Sequence, residues 1–494
     1  MSDRLIKSIK VFVVLFWLGM LADLVLRNTS FISPSAFARA PFITAESEEW
    51  MGIYFNNRKA GYVNTIYRKE GDGQRIIEKS FLKLKVMDQV REVKTLVNSL
   101  FDLRGIMKSF DFRIDSGDIN LEVEGRAQGS GIALTINTGG ITREEFIKLS
   151  GPVYLPQSIK LFLKGKKIKV GDKYSIQLID PSILKASDMN FEVLSVENLK
   201  WEGKNLKAYR VKSTFMGIES ISYITEDGEL LREEGPLGTV AIKESKEDAI
   251  NKGWAEDDET DFILSTAIPV NEEIERPDAL SYMKVRISGV NSDAINLNTH
   301  RQKFAGGVLE IKKEQIEEGN NVSPYKIPYS KDDMKDYLKS TALVQSDNAD
   351  IIDLAKKIIN KTSDPFNAAD MLANWVYTKL EKTPTISIPS AVEVLRTKRG
   401  DCNEHAILFA ALARAAGIPT KIAVGLVYQK GYFFYHAWNE VFLGEWVSID
   451  PTFNQFPADV THIKLAEGDL WEWLKITNVV GSIRIEILDK IEEY

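Results

Sequence analysis

Cys402 is the only cysteine in a chain of 494 residues, and a histidine and an aspartate follow it at intervals that suit thiol chemistry. A thiol becomes a useful nucleophile when it is deprotonated, either by a lowered pKa or by an adjacent base. His436 is the residue type that serves as that base and later as the acid. Asp450 is the residue type that fixes an imidazole in one tautomer and steadies its charged form. The expected chemistry is acyl transfer: thiolate attack on an amide or ester, an acyl-enzyme, and its resolution by water or an amine.

These groups need elements to hold them. In "GDCNEHAILFAALARAAGIPTK" the alanine-rich run reads as a helix that starts at Cys402, is capped by Asp401, and ends at Gly417 and Pro419. The cysteine then sits in the first helical turn. The free amides and dipole there are expected to favour its anion and to offer donors to an oxyanion. In "YFFYHAWNEVFLGEWVSIDPTF" two strands flank a turn at Leu443–Gly444. His436, Trp438 and Glu440 alternate onto one face, and Trp446, Ser448 and Asp450 alternate on the return strand. Asp450 is expected opposite His436 or one pair along, where facing side chains lie about 4.5–5.5 Å apart.

Other residues compete for roles. His405 is a rival base, but its position three residues after Cys402 aims it along the helix, which favours packing. A metal site built from Cys402, His405, His436 and His462 is possible by counting alone. A single thiolate at such spacing is an uncommon zinc pattern, so no metal and no cofactor is expected. No acidic loop suggests calcium. Trp438 and Trp446 are candidates for the walls of a substrate cleft. Glu440 reads as structural, paired with a basic neighbour.

The segment "RGDCNEHAILFAALARAAGIPTKIAVG" followed by "HAWNEVFLGEWVSIDPT" resembles the core of the transglutaminase-like superfamily, relatives of papain-type thiol enzymes. The resemblance spans roughly residues 335–480. It implies Cys402 as nucleophile, His436 as general base and acid, and Asp450 as the residue fixing the imidazole. It also implies an α+β fold with the cysteine helix packed on an antiparallel sheet. The chain departs from the papain pattern in one place: "VLRTKRGD" carries no oxyanion-hole glutamine ahead of the cysteine, so the amide of Cys402 is the one donor that can be named.

The rest of the chain sets the context. The formal charge of -7, with no basic block, argues against nucleic-acid binding. "MSDRLIKSIK" followed by "VFVVLFWLGMLADLVL" is a basic region and an apolar run, expected to direct export of the downstream chain. Residues 11–26 are expected to anchor the chain in the cytoplasmic membrane, with cleavage after "AFA" near Ala38 the alternative. This places the body on the periplasmic side. Residues 1–40 thus form an anchor or signal segment with its linker. Residues 45–265 read as an antiparallel β-rich domain, a sheet or half-barrel, with a hairpin signal at Asp227-Gly228. Residues 266–330 read as a small β domain and linker, and 335–494 as the catalytic domain, opened by helical periodicity in "NADIIDLAKKIINKT" and "PFNAADMLANWVYTKLEK". The expected partners are a peptide or protein substrate, such as one of the cell envelope, and the membrane through the N-terminal segment. In an exported protein, hydrolysis of a peptide or amide bond is favoured over protein-glutamine cross-linking. The rival of another class is an envelope binding or assembly protein with a vestigial thiol site.

Overall fold

A computed structural model describes residues 46–86, 89–117, 120–159, 168–201, 203–254, 261–289, 295–315, 325–385, 388–468 and 482–493. The apolar run at 11–26 and the "AFA" site lie outside the described residues. Among those described, no helix is long and apolar enough to cross a membrane.

Short alternating runs separated by turns give strands, and the first two hundred described residues form one sheet of 15 strands. The segment Asn120–Gln128 shows the cause, with Leu121, Val123 and Gly125 buried between exposed neighbours. Successive hairpins run outward from Ser47–Phe55 to Ile141–Lys148, and a second series runs from Lys173–Asp180 to Thr239–Glu244. The two series are joined where Trp50 pairs with Glu244 and Phe55 with Thr239. The expected turn at Asp227-Gly228 is present, with Gly228 at φ +79 and Thr225 N–H bonded to the Glu229 carbonyl at 2.9 Å. Each series buries its own apolar cluster, one around Phe101, Phe110 and Leu121, the other around Phe191, Val193 and Val211.

The unit that follows carries α1 (Ala349–Ile359), α2 (Pro365–Lys379), α3 (Ala391–Thr397) and α4 (Cys402–Ala415). Asn348 caps α1 through the amides of Asp350 and Ile351, and Asp364 caps α2 ahead of its first-turn proline. The sheet behind α4 is built from β1 (Ile268–Pro269), then β5 (Thr420–Gln429), β6 (Tyr432–Phe442), β7 (Trp446–Ile449) and β8 (Ile463–Glu467). β6 is central: it pairs with β5 along its length, with β1 at Tyr432–Phe433, and with β7 at Asn439–Phe442.

A four-stranded sheet contains β2 (Leu280–Ser288), β3 (Gln302–Ala305) and β4 (Val308–Lys312). Its fourth strand is β9 (Arg484–Glu492), from the far end of the chain, with Met283 paired to Lys490. Met283, Val285, Leu309, Ile485 and Ile487 share one continuous core with Ala406–Ala413 of α4. The small sheet and the helical unit therefore have no separate interiors. The Pro-bearing stretch before α1 is pinned as well: Tyr325 Oη donates to the Phe442 carbonyl at 2.7 Å, and Tyr329 N–H to that of Gly417 at 2.9 Å.

The long sheet meets this unit at α3. Glu393, 1% exposed, accepts from the Asn120 amide (3.2 Å) and the Thr138 hydroxyl (3.3 Å). The hairpin tip at Gly139, φ +61, comes so close that a Cβ there would lie 3.2 Å from both Ser390 Oγ and the Glu393 amide nitrogen. Arg143 adds an ion pair to Asp347 at 2.7 Å.

Candidate active site

The nucleophile's helix begins as its sequence predicts. Asp401 accepts from the Asn403 amide at 3.0 Å, and Glu404 accepts from the Asp401 amide at 2.9 Å, closing a reciprocal cap. Gly400 makes room for it, since a Cβ there would fall 2.3 Å from the Glu404 side chain. The alanines that follow let α4 lie close against β5 and β6, and Asn439 of β6 ties them with bonds to the carbonyls of Ala406 (3.1 Å) and Lys421 (3.2 Å).

Cys402 is partly exposed at the start of α4. β6 lacks a strand partner on its outer edge between Phe433 and Asn439 among the described residues. There the backbone of Ala437 lies near the Cys402 sulfur, which sets the thiol beside the residue that follows His436. The expectation that the helix start would make this thiol more acidic is overturned. Burial pushes it well above its usual range, and the Asp401 carboxyl beside it adds to the effect; the Ala437 amide only partly offsets them. Asp401 is itself held up by burial and by Glu404, so the two carboxyls resist being ionised together.

His436 Nε2 donates to Asp450 Oδ2 at 2.7 Å, with both residues buried. The β6–β7 register sets Asn439 opposite Ile449 and Glu440 opposite Ser448, so Asp450 follows one step along and its carboxylate reaches diagonally to His436. Its other oxygen accepts from the amides of Thr452 (2.7 Å) and Phe453 (3.2 Å). The ring of Phe453 stacks on His436 at 4.9 Å. Because Nε2 carries the proton toward Asp450, Nδ1 is the nitrogen left to serve the thiol.

The remaining candidates fall elsewhere. His405 is buried, with Nδ1 2.6 Å from the Asp401 carbonyl; burial lowers its pKa, and it packs within the helix start. Neither tryptophan stands as an exposed cleft wall. Trp438 is 2% exposed and lies behind His436, ring centroids 6.1 Å apart. Trp446 lines a different pocket of about 470 Å³ with Lys421, Glu440 and Lys464, under the Lys421 ammonium at 4.1 Å. Glu440 does pair with a base, Lys464 Nζ at 2.5 Å, inside that buried network.

Two residues escaped the sequence reading of the triad. His462, fully buried, places Nε2 2.9 Å from the same Asp450 Oδ2. Arg301, just ahead of β3, donates to the carbonyls of Ala458 (3.0 Å) and Asp459 (2.7 Å) and fixes the loop that delivers His462. The run "FPADVTH" held a signal for the first: an Asp and a His three apart, closely following Asp450. His436, Asp450 and His462 have donor atoms within 4.8 Å of one another, as a metal site would. Their geometry is that of one carboxylate oxygen accepting from two ring N–H groups, which accounts for the cluster without an ion.

A helix-borne thiol packed beside a histidine strand, with a carboxylate on the adjoining strand, defines a thiol-enzyme fold of the papain-related class. Residues 352–451 match the model of the Transglutaminase-like superfamily and form a transglutaminase-like core. An uncharacterised protein of Haemophilus influenzae is 28% identical over 193 residues, which is 32% of this chain and 50% of that protein. The chain thus spans about half the length of that curated relative. Among solved structures, a candidate cysteine protease of Cytophaga hutchinsonii is similar over 43% of this chain and 86% of its own, at 18% identity and TM-score 0.28. A β-barrel-like protein of unknown function from Brucella abortus is similar over 40% of this chain and 94% of its own, at 11% identity and TM-score 0.33.

Proposed function

We propose that this protein is an exported cysteine acyl-transfer enzyme that hydrolyses peptide or amide bonds through Cys402, His436 and Asp450. The observation that carries the reading is the 2.7 Å bond from His436 to Asp450, on a strand whose next residue lies near Cys402. The thiol enters protonated, since its surroundings disfavour the anion. His436 Nδ1 accepts the thiol proton as sulfur bonds to the substrate carbonyl carbon. The amide of Cys402, free at the helix start, faces the developing oxyanion. His436 then returns the proton to the leaving amine, and the C–N bond breaks to give a thioester. Water attacks the thioester with His436 as base, releasing the acid and restoring the thiol. Asp450 keeps the imidazole in one tautomer throughout.

The substrate is a peptide or protein segment on the periplasmic side, reached by a body that residues 11–26 hold at the membrane. No nucleic acid and no cofactor enters this scheme. The test is mass spectrometry of the soluble body incubated with activated peptide esters and peptidyl amides. An acyl adduct on Cys402, absent in His436→Ala and resolved by water faster than by added primary amine, is expected. Resolution by the amine would make the enzyme a transamidase. Absence of any adduct would leave a binding or assembly protein whose thiol is inert, a reading that the raised thiol pKa favours.

A further inference from the structure

His462 stands behind the proposed triad with both ring nitrogens committed. Nε2 lies 2.9 Å from Asp450 Oδ2, while Nδ1 lies 3.2 Å from Asp459 Oδ1 and 3.2 Å from the Asp459 carbonyl. Carboxylate oxygens only accept hydrogen bonds when ionised, so a ring between two of them must donate at both nitrogens. A ring with both nitrogens protonated is an imidazolium. The side chain is fully buried, and a buried cation persists only when it is paired in this way.

The anchoring continues outward. Asp459 Oδ1 also accepts from the Thr461 amide (2.8 Å) and hydroxyl (2.6 Å), and its Oδ2 from Gln455 Nε2 (2.9 Å). Arg301 holds the Asp459 carbonyl. Edge contacts of the Trp438 ring at 5.2 Å and the His436 ring at 5.6 Å complete the cage. The charged and titratable groups facing His462 are therefore Asp450, Asp459 and His436, with the Arg301 guanidinium one bond further away.

We infer that His462 is a positioning residue of this site: a buried imidazolium, held by Asp459, that pins Oδ2 of Asp450 behind His436 and offsets its charge. Three groups then form a line of alternating sign, Asp459, His462 and Asp450, and His436 donates to the end of it. Their titration agrees with the geometry. Burial would lower His462, yet Asp459 and Asp450 raise it to about 9; burial would raise Asp459, yet His462 brings it to about 2. The arrangement matters to the thiol because a neutral residue at 462 would remove the positive charge that offsets Asp450, and a more negative surrounding disfavours a thiolate.

The inference rests on the acyl-transfer reading for its purpose but not for its test. The chain has only four histidines, so ring-nitrogen NMR of the soluble body can follow each through a titration. His462 is expected to carry protons on both nitrogens at pH 7.5; a neutral His462 at that pH overturns the inference. The second readout is the pH dependence of Cys402 alkylation by iodoacetamide in wild type, His462→Gln and Asp459→Asn. The profile is expected to move to higher pH by about one unit, with an approximately tenfold slower reaction at pH 7 in His462→Gln. Asp459→Asn, which keeps the size of the anchor, is expected to shift it in the same direction. Unchanged profiles in folded variants overturn the positioning role. Should His462→Gln fail to fold, the wild-type NMR titration and Asp459→Asn still decide the matter. A protonated His462 in a protein that forms no acyl adduct would sink the enzyme reading alone.

Discussion

His436 Nε2–H donates a hydrogen bond to Asp450 Oδ2 at 2.7 Å, and this one bond determines which ring nitrogen is free to act as a base. Asp450→Asn keeps the volume but presents an amide that can donate to the ring and stabilise the other tautomer. Acylation of Cys402 by an activated peptide ester is expected to slow by roughly 10⁴-fold, by analogy with the same change in serine triads. Stopped-flow acylation rates check this; a loss under tenfold would mean that Asp450 does not set the tautomer.

The pH dependence of stability follows from His462. Its pKa is 6.5 in a free chain and about 9 in the fold. A group raised on folding stabilises fully below its unfolded value and ceases to do so as pH rises through its folded value. The contribution is therefore complete below pH 6.5, fades between 6.5 and 9, and is of the order of 3 kcal/mol at most. Urea unfolding of wild type and His462→Gln across this window should show two curves that converge as the pH rises.

Arg301 and Glu314 form a buried pair at 3.1 Å, and Glu314 also accepts from the Ser448 amide at 3.0 Å. Glu314 is held at about 2: burial works against ionisation, and Arg301 outweighs it. Arg301→Met leaves that carboxylate without its cation and frees two carbonyls of the loop before β8. A loss of about 3–5 kcal/mol is expected, with part recovered in the double variant Arg301→Met, Glu314→Gln. Denaturant midpoints of the four proteins of this cycle measure it.

Glu393→Ala addresses the seam between the long sheet and α3. It leaves the Thr138 hydroxyl and the Asn120 amide without their acceptor, at about 1–3 kcal/mol for the buried group. Limited proteolysis should then cut near the Gly139 hairpin faster than in wild type, while β6 and β7 stay protected.

The parts of the fold legible in the sequence were local. Asp401 ahead of an alanine-rich run announces a helix start, and His436, Trp438 and Glu440 in alternation announce a strand. Asp227-Gly228 announces a turn. The unreadable part was long-range. Nothing in "SIRIEILDKIEE" tells that β9 pairs with β2, because strand periodicity specifies a face and not a partner. Arg301, in the polar run "NLNTHRQKF", looks solvated until the fold buries it against Glu314. The thiol's acidity was misjudged because the dipole is visible in the helix start, while burial and the Asp401–Glu404 pair are known only once the chain has folded.

The placement of β9 also sets an order of events during synthesis. Ile485 and Ile487 close a core that includes α4, yet Met283 must wait for Lys490 before β2 gains its neighbour. The long sheet at 47–244 can complete its own pairings first, from hairpins between adjacent segments. The helix bearing Cys402 reaches its final packing only after strand 484–492 has left the ribosome and crossed to its destination. A nascent chain that lacks this strand thus carries the Cys402 helix against a core that is still open.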